Sequence, residues 1–230
     1  VRSADLLLRL GMSQDSWIDD LIQTARNKDV FPGSKGYIDC SVGIRALEVP
    51  MTSIDGSQGD MHLEGNPHYW LNPLNGKIIA KQLLDRLTLL IPDQKAYFEK
   101  NYQFFCDQID QKMVGWTKKF QAMDDTVFVT YHKVWSYFFD AFSLTSLGEL
   151  EPFPGIPPTT RRLKQLETQM ADINKQKIVL ITNFYSKRIG KRFAATTGAD
   201  FLQVPSNLGE GEESTYIGFF DYLVTEITRR

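Results

Sequence analysis

Three histidines occur in 230 residues, and two of them fall in one run, Asp60-Met61-His62-Leu63-Glu64-Gly65-Asn66-Pro67-His68-Tyr69-Trp70-Leu71-Asn72-Pro73. Neutral imidazole is the side chain best suited to bind a divalent transition metal near pH 7. Residues 64–68 are incompatible with regular structure, because Gly65 frees the backbone and each proline biases the residue before it away from helix. Asn72-Pro73 reads as a helix start, with Asn72 able to cap and Pro73 at the first helical position. His68 therefore sits on a stiff loop just ahead of a helix. Such a loop suits a metal ligand, and equally an ordinary turn whose histidine hydrogen-bonds its neighbours. His62 lies six residues earlier, too irregular a spacing for a helical pair. It is either an exposed loop histidine or an additional ligand on a loop that curls back.

The third histidine, His132, directly follows the apolar run 127–131 and precedes a helical pattern carrying Val134, Trp135, Tyr137, Phe138 and Phe142. Ligands of open α/β sheets bind beyond the carboxyl ends of strands, so His132 stands where a site belongs. The alternative is a strand-end histidine bonded to backbone. Glu210, Glu212 and Glu213 follow the last strand on the same edge, and one of them can supply an oxygen ligand, since zinc and manganese both accept carboxylate. A run of acids in a loop is also commonly just solvated. Glu149 and Glu151 are weaker candidates of the same kind. The chain has no G-x-S-x-G, H-E-x-x-H, P-loop or G-x-G-x-x-G motif, and no cysteine–histidine nucleophile pair can be argued.

The elements that must position these residues alternate. A short strand near 4–8 ends at Gly11. A helix capped by Ser13 follows, with Trp17, Ile18, Leu21, Ile22 and Ala25 at helical spacing, and then a strand over 37–42. A helix runs from Pro73 to about Leu90. Beyond Ile91-Pro92-Asp93, the residues Phe98, Tyr102, Phe105, Ile109, Met113, Trp116 and Phe120 step by four, three, four, four, three, four, one continuous apolar stripe on a long helix. Its aromatic choice favours packing on lobes over a coiled coil. After it come strands at 127–131, 177–182 and 201–204, alternating with helices at 159–170, 187–197 and 216–228, while 146–158 reads as loop. Strands alternating with helices of this length imply parallel βαβ units. The expected fold is α/β: two lobes of parallel sheet with flanking helices, 1–91 and 124–230, joined by one long rigid helix over 92–123. The first lobe reads as incomplete, because one helix and two short strands cannot cover both faces of a parallel sheet, so further strand and helix material is expected before Val1.

Composition bounds the function classes. Hydrophobic content of 42% and charged content of 23% are ordinary for a globular protein. A net charge of −2 without basic clusters points away from nucleic acid. The longest helical segment is too charged to span a membrane. Val1 is not a natural start, so a leader could have been removed. Cys40 and Cys106 are too few for a disulfide framework and lack metal-type spacing.

Taken together, the chain resembles the metal-binding periplasmic solute-binding proteins of zinc and manganese ABC transporters. Gly65-Asn66-Pro67-His68-Tyr69-Trp70-Leu71-Asn72-Pro73 is similar to that family's D/N-P-H-x-W-L-D/N-P signature, whose histidine is a metal ligand. Tyr131-His132-Lys133-Val134-Trp135-Ser136-Tyr137-Phe138 resembles its second motif, and Glu151-Pro152-Phe153-Pro154-Gly155-Ile156-Pro157-Pro158 an E-P-x-P-G-I-P-P segment of one branch. The resemblance implies two α/β lobes on one rigid helix, with a divalent metal, zinc first and manganese second, held between them. It also implies a monomer in the periplasm, or anchored outside the membrane, that delivers metal to an ABC permease. The implied ligands are His68, His132 and Glu213, with His62 assisting and a further family histidine before residue 1. Glu213 is the nearest match to a family aspartate ahead of the final helix. The competing classes are a zinc hydrolase with Glu213 or Glu64 as base, and an adhesin or scaffold with a structural metal.

Overall fold

The structure, a computed structural model, describes residues 1–50, 62–209 and 214–229. The chain divides into two compact units. The first takes in His62–Trp70, Leu74–Asp110 and the described residues before them, and the second Leu71–Pro73 and the described chain from Gln111 onward.

In the first unit, β1 (Leu7–Arg9) pairs in parallel with β2 (Tyr37–Asp39), Leu7 opposite Tyr37 and Arg9 opposite Asp39. Between them α1 (Ile18–Ala25) lays Ile22 against Leu7 and Val30, a small core completed by Ala4, Ile18, Phe31 and Tyr37. The expected Ser13 cap is not formed. Ser13 is itself left-handed at φ 60°, and the helix starts after Trp17 with no side-chain cap. Asp15 takes the loop's donors instead, accepting from the backbone N–H of Leu10 and Gly11 and pairing with Arg9. Trp17 is 67% and Leu21 48% exposed, so only Ile18, Ile22 and Ala25 of the anticipated stripe turn inward.

Helix α2 spans Pro73–Leu90, and a 3₁₀ turn at Pro92–Gln94 leads into α3, Lys95–Gln121. At 1.5 Å per residue, the 27 residues of α3 extend about 40 Å. This helix joins the two units, its residues through Asp110 belonging to the first and those from Gln111 to the second. Every member of the predicted stripe is buried or half-buried, with Ile109, Trp116 and Phe120 almost fully inaccessible, while lysines, aspartates and glutamines face water.

The second unit is a four-stranded parallel sheet in the order β4-β3-β5-β6, built from β3 (Thr126–Thr130), β4 (Thr145–Glu149), β5 (Gln176–Thr182) and β6 (Asp200–Val204). The helices are α4 (Ser136–Phe142), α5 (Thr160–Ala171), α6 (Lys187–Thr197) and α7 (Tyr216–Thr228). Thr159, Ser186 and Thr215 cap the last three by accepting backbone N–H bonds. On one sheet face Val129, Val179 and Ile181 pack with Leu166, Met170, Phe193 and Ala194 of α5 and α6. Aromatic rings from the end of α3, from α4 and from α7 form a second cluster, with Phe120 4.6 Å from Phe142 and Trp116 5.5 Å from Phe220 between centroids.

A second expectation, after the Ser13 cap, is overturned. Residues 146–158 read as loop in the sequence, yet Thr145–Glu149 is an edge strand paired to β3. Thr145 and Ser146 are exposed, and the pairing shifts register between Phe128 and Val129 opposite Gly148 at φ 124°. An edge strand with small polar residues and a bulge carries no alternating apolar signal.

Candidate metal site

From β3 the chain goes outward to β4 on one side, then returns to β5 and β6 on the other, so the sheet's topological switch lies at the carboxyl end of β3. His132 stands two residues beyond that end. The backbone around it is tied down: the Thr130 hydroxyl donates to the His132 carbonyl at 3.1 Å, and the Val134 N–H donates to the same oxygen at 2.8 Å. Pairing continues past the strands, with Leu150 N–H donating to Thr130 O and Glu151 N–H to Tyr131 O. This ladder carries Glu151 alongside His132, where its Oε2 lies 2.7 Å from Nδ1. Glu151 is buried, and the same oxygen accepts the Gly155 N–H at 3.2 Å. A carboxylate bridging those two groups accepts a proton held on Nδ1, which leaves the lone pair of the neutral ring on Nε2.

Stacked rings of Tyr131 and Tyr185, 4.1 Å apart, wall this corner, with Tyr185 6.0 Å from the His132 ring. Burial, and then the charge of Glu151, push both phenols up, Tyr185 to about 12. A pocket of about 300 Å³ opens beside His132, lined also by Glu149, Glu151 and Arg162. Arg162 Nε donates to the Glu149 carbonyl at 2.8 Å.

His68, in the first unit, is held by a different device. Its backbone N–H donates to Asn66 Oδ1 at 2.9 Å, and its Nδ1 lies 3.0 Å from that oxygen. The backbone bond fixes which end of the amide faces the histidine, and so again places the proton on Nδ1 and the lone pair on Nε2. The loop is rigid for reasons read in its residues. Gly65 lies at φ 107°, where a Cβ would sit 2.8 Å from the Leu47 carbonyl. Asn66 N–H donates to that carbonyl at 2.8 Å. Beyond His68, the Tyr69 hydroxyl donates to Leu10 O, and buried Asn75 donates to Tyr69 O at 2.8 Å. The Trp70 ring lies 5.3 Å from the imidazole.

The remaining candidates are less built. His62 is half-buried, its carbonyl accepting the Gly65 N–H at 3.2 Å. Glu64 is exposed and accepts from the Ser13 hydroxyl at 3.1 Å. Glu213, with Glu210 and Glu212, lies outside the described residues. Among the described residues, no three His, Cys, Asp or Glu side chains gather closely enough to hold a metal. Cys40 and Cys106 are buried free thiols, and burial pushes the Cys40 thiol up to about 11. Two residues beside the histidines carry only a weak signal in the sequence. Glu151 reads as a weaker candidate than the acids at 210–213, because the strand just before it, paired to β3, has no local signature. Asn66 reads as part of its loop, and Asn-x-His is the spacing that lets an amide oxygen meet both the backbone and the ring two residues on.

Comparison with solved structures shows the same fold. A crystal structure of ZnuA superposes with a TM-score of 0.76 over 99% of this chain and 80% of that chain, at 19% identity. A Mn-bound periplasmic metal binding protein from Candidatus Liberibacter asiaticus gives 0.75 over 99% and 81%, at 21% identity. The parallel α/β lobes and the long joining helix are thus an architecture that this chain shares with those structures. The family model for the zinc-uptake complex component A, periplasmic, matches residues 1–230, and the chain belongs to that family. Among curated relatives, the high-affinity zinc uptake system protein ZnuA of Haemophilus ducreyi is 31% identical over 45% of this chain and 34% of its own length. The protein of the same name from Yersinia pestis is 26% identical over 75% of this chain and 58% of its own length. The manganese ABC transporter substrate-binding lipoprotein PsaA of Streptococcus pneumoniae is 26% identical over 62% of this chain and 45% of its own. The matches therefore span between 34% and 58% of these relatives' length. Among the described residues no helix is long and apolar enough to cross a membrane.

Proposed function

We propose that this chain captures a divalent metal ion outside the cytoplasmic membrane and delivers it, as a monomer, to an ABC permease. Zinc is the favoured cargo and manganese the second, because histidine-dominated ligation suits zinc and a larger carboxylate share suits manganese. His68 and His132 ligate through Nε2, Glu213 adds a carboxylate, and His62 assists.

The observation that supports this reading is shared by both histidines: each has an oxygen at hydrogen-bond distance from Nδ1, Asn66 Oδ1 at 3.0 Å and Glu151 Oε2 at 2.7 Å. Metal-ligating histidines carry such partners, which fix the ring and raise its basicity. The names of the relatives, for zinc in one group and manganese in another, support the same cargo class.

Titration calorimetry with zinc and with manganese tests the proposal, on the native chain and on His68→Ala and His132→Ala. Tight binding that is lost in either variant is the expected result. Binding indifferent to both substitutions overturns the ligand set. Protonated imidazole cannot ligate, so affinity falls as pH drops through the histidine range. Affinity unchanged at pH 5 contradicts the reading.

A further inference from the structure

The Asn66 amide has two ends, and only one serves His68. The other, Nδ2, donates to Glu48 Oε2 at 2.9 Å. Asn66 is 6% exposed, so its orientation is settled by protein partners rather than by bulk water. Turning the amide over would set an NH₂ group against the His68 N–H and a carbonyl against the Glu48 carboxylate, two repulsive contacts for two bonds. Glu48 thus completes a relay, carboxylate to amide to imidazole, across 18 residues of sequence.

Glu48 makes this contact from a left-handed backbone, φ 56°. Non-glycine residues other than Asn and Asp enter that region reluctantly, so glutamate is a poor choice for the turn itself. Its segment is also strapped to the histidine loop: Leu47 O accepts the Asn66 N–H, and Gly65 passes too close to that carbonyl for any side chain. Glu48 is exposed, so what it supplies is hydrogen-bond direction rather than a buried charge.

We propose that Glu48 is a positioning residue for metal capture: it holds the Asn66 amide in the one orientation that presents Oδ1 to His68 and keeps the ring's lone pair on Nε2. The inference rests on the metal-binding reading above. By contrast, His132 receives its carboxylate directly, from Glu151.

Glu48→Asn separates this role from a structural one, because asparagine accepts the left-handed turn but is too short to keep the bond. Zinc affinity by calorimetry, thermal unfolding of the metal-free protein and the His68 tautomer by nitrogen-resolved NMR are compared for the native chain, Glu48→Asn, Glu48→Gln and His68→Ala. The expected result is that Glu48→Asn unfolds at or above the native temperature, loses about 10-fold in zinc affinity, the low end for partners beyond the ligands, and loses the single Nδ1–H tautomer. Glu48→Gln keeps an acceptor oxygen and recovers most of the affinity. Native affinity and an unchanged tautomer in Glu48→Asn overturn the proposal. So does an affinity loss that merely tracks lost stability, with no recovery in Glu48→Gln. If His68→Ala binds zinc as the native chain does, the metal reading fails instead, and the tautomer alone then decides the positioning role.

Discussion

Glu151 Oε2 lies 2.7 Å from His132 Nδ1, a contact made by two residues that the parallel pairing of β3 and β4 sets side by side. Because the carboxylate is buried and also accepts the Gly155 N–H, it cannot swing away without stranding a donor. The imidazole is therefore held in one orientation.

Glu151→Ala removes that brace. Zinc affinity is expected to fall by about 10- to 100-fold, the range for residues that orient a ligating histidine. Glu151→Gln keeps the shape, and is expected to lie between the native protein and Glu151→Ala. Calorimetric titration checks both, and native affinity in Glu151→Ala contradicts the role.

Asn66→Ala leaves the His68 backbone donor unsatisfied in a buried loop. The metal-free protein is expected to lose about 1–3 kcal/mol of stability, and zinc affinity to drop with it. Asn66→Asp combined with Glu48→Gln keeps an oxygen toward His68 and gives its second oxygen an amide donor in place of the Glu48 carboxylate, and recovers the affinity. Denaturant unfolding and titration are the measurements, and equal losses in both variants count against the hydrogen-bond account.

Gly190 of α6 has no room for a methyl group. A Cβ there would meet Phe201 at 2.7 Å and Ile181 at 3.2 Å, where the helix crosses the β5–β6 face. Gly190→Ala is expected to destabilise by about 1–3 kcal/mol, with zinc affinity per folded molecule unchanged. A fully stable variant would refute the packing argument.

Alkaline pH tests the Tyr131–Tyr185 corner. Burial first, and then Glu151, raise the Tyr185 phenol from its ordinary 10.0 to about 12. The unfolded chain ionises at the lower value, so this contribution is complete below about pH 10 and is lost as pH climbs towards 12. Melting temperature is expected to fall across that window, less steeply in Tyr185→Phe. Tyrosinate absorbance reports the ionisation itself, and a normal titration of Tyr185 contradicts the assignment.

Much of this architecture is legible in local sequence. The periodicity of Phe98, Tyr102, Phe105, Ile109, Met113, Trp116 and Phe120 specifies the long helix and its inner face, because a 3.6-residue repeat places those side chains on one stripe whatever they pack against. Pro73 marks the start of α2 for an equally local reason, its fixed φ and missing N–H. Gly65, Pro67 and the strand ahead of His132 likewise announce where the two histidines stand.

What the sequence could not decide is which distant residues meet. Thr145–Glu149 has no strand signature, yet hydrogen bonding to the edge of β3 makes it one and carries Glu151 to His132. Trp17 and Leu21 sit on a helical stripe but remain in water, since the first unit's described core asks only Ile18, Ile22 and Ala25 of α1 to turn inward. The oxygens on His68 and His132 come by two routes, an amide two residues away backed by Glu48 and a carboxylate nineteen residues away. Periodicity fixes a side chain's direction within its own element. Strand register and loop closure, which depend on every element at once, choose its partner.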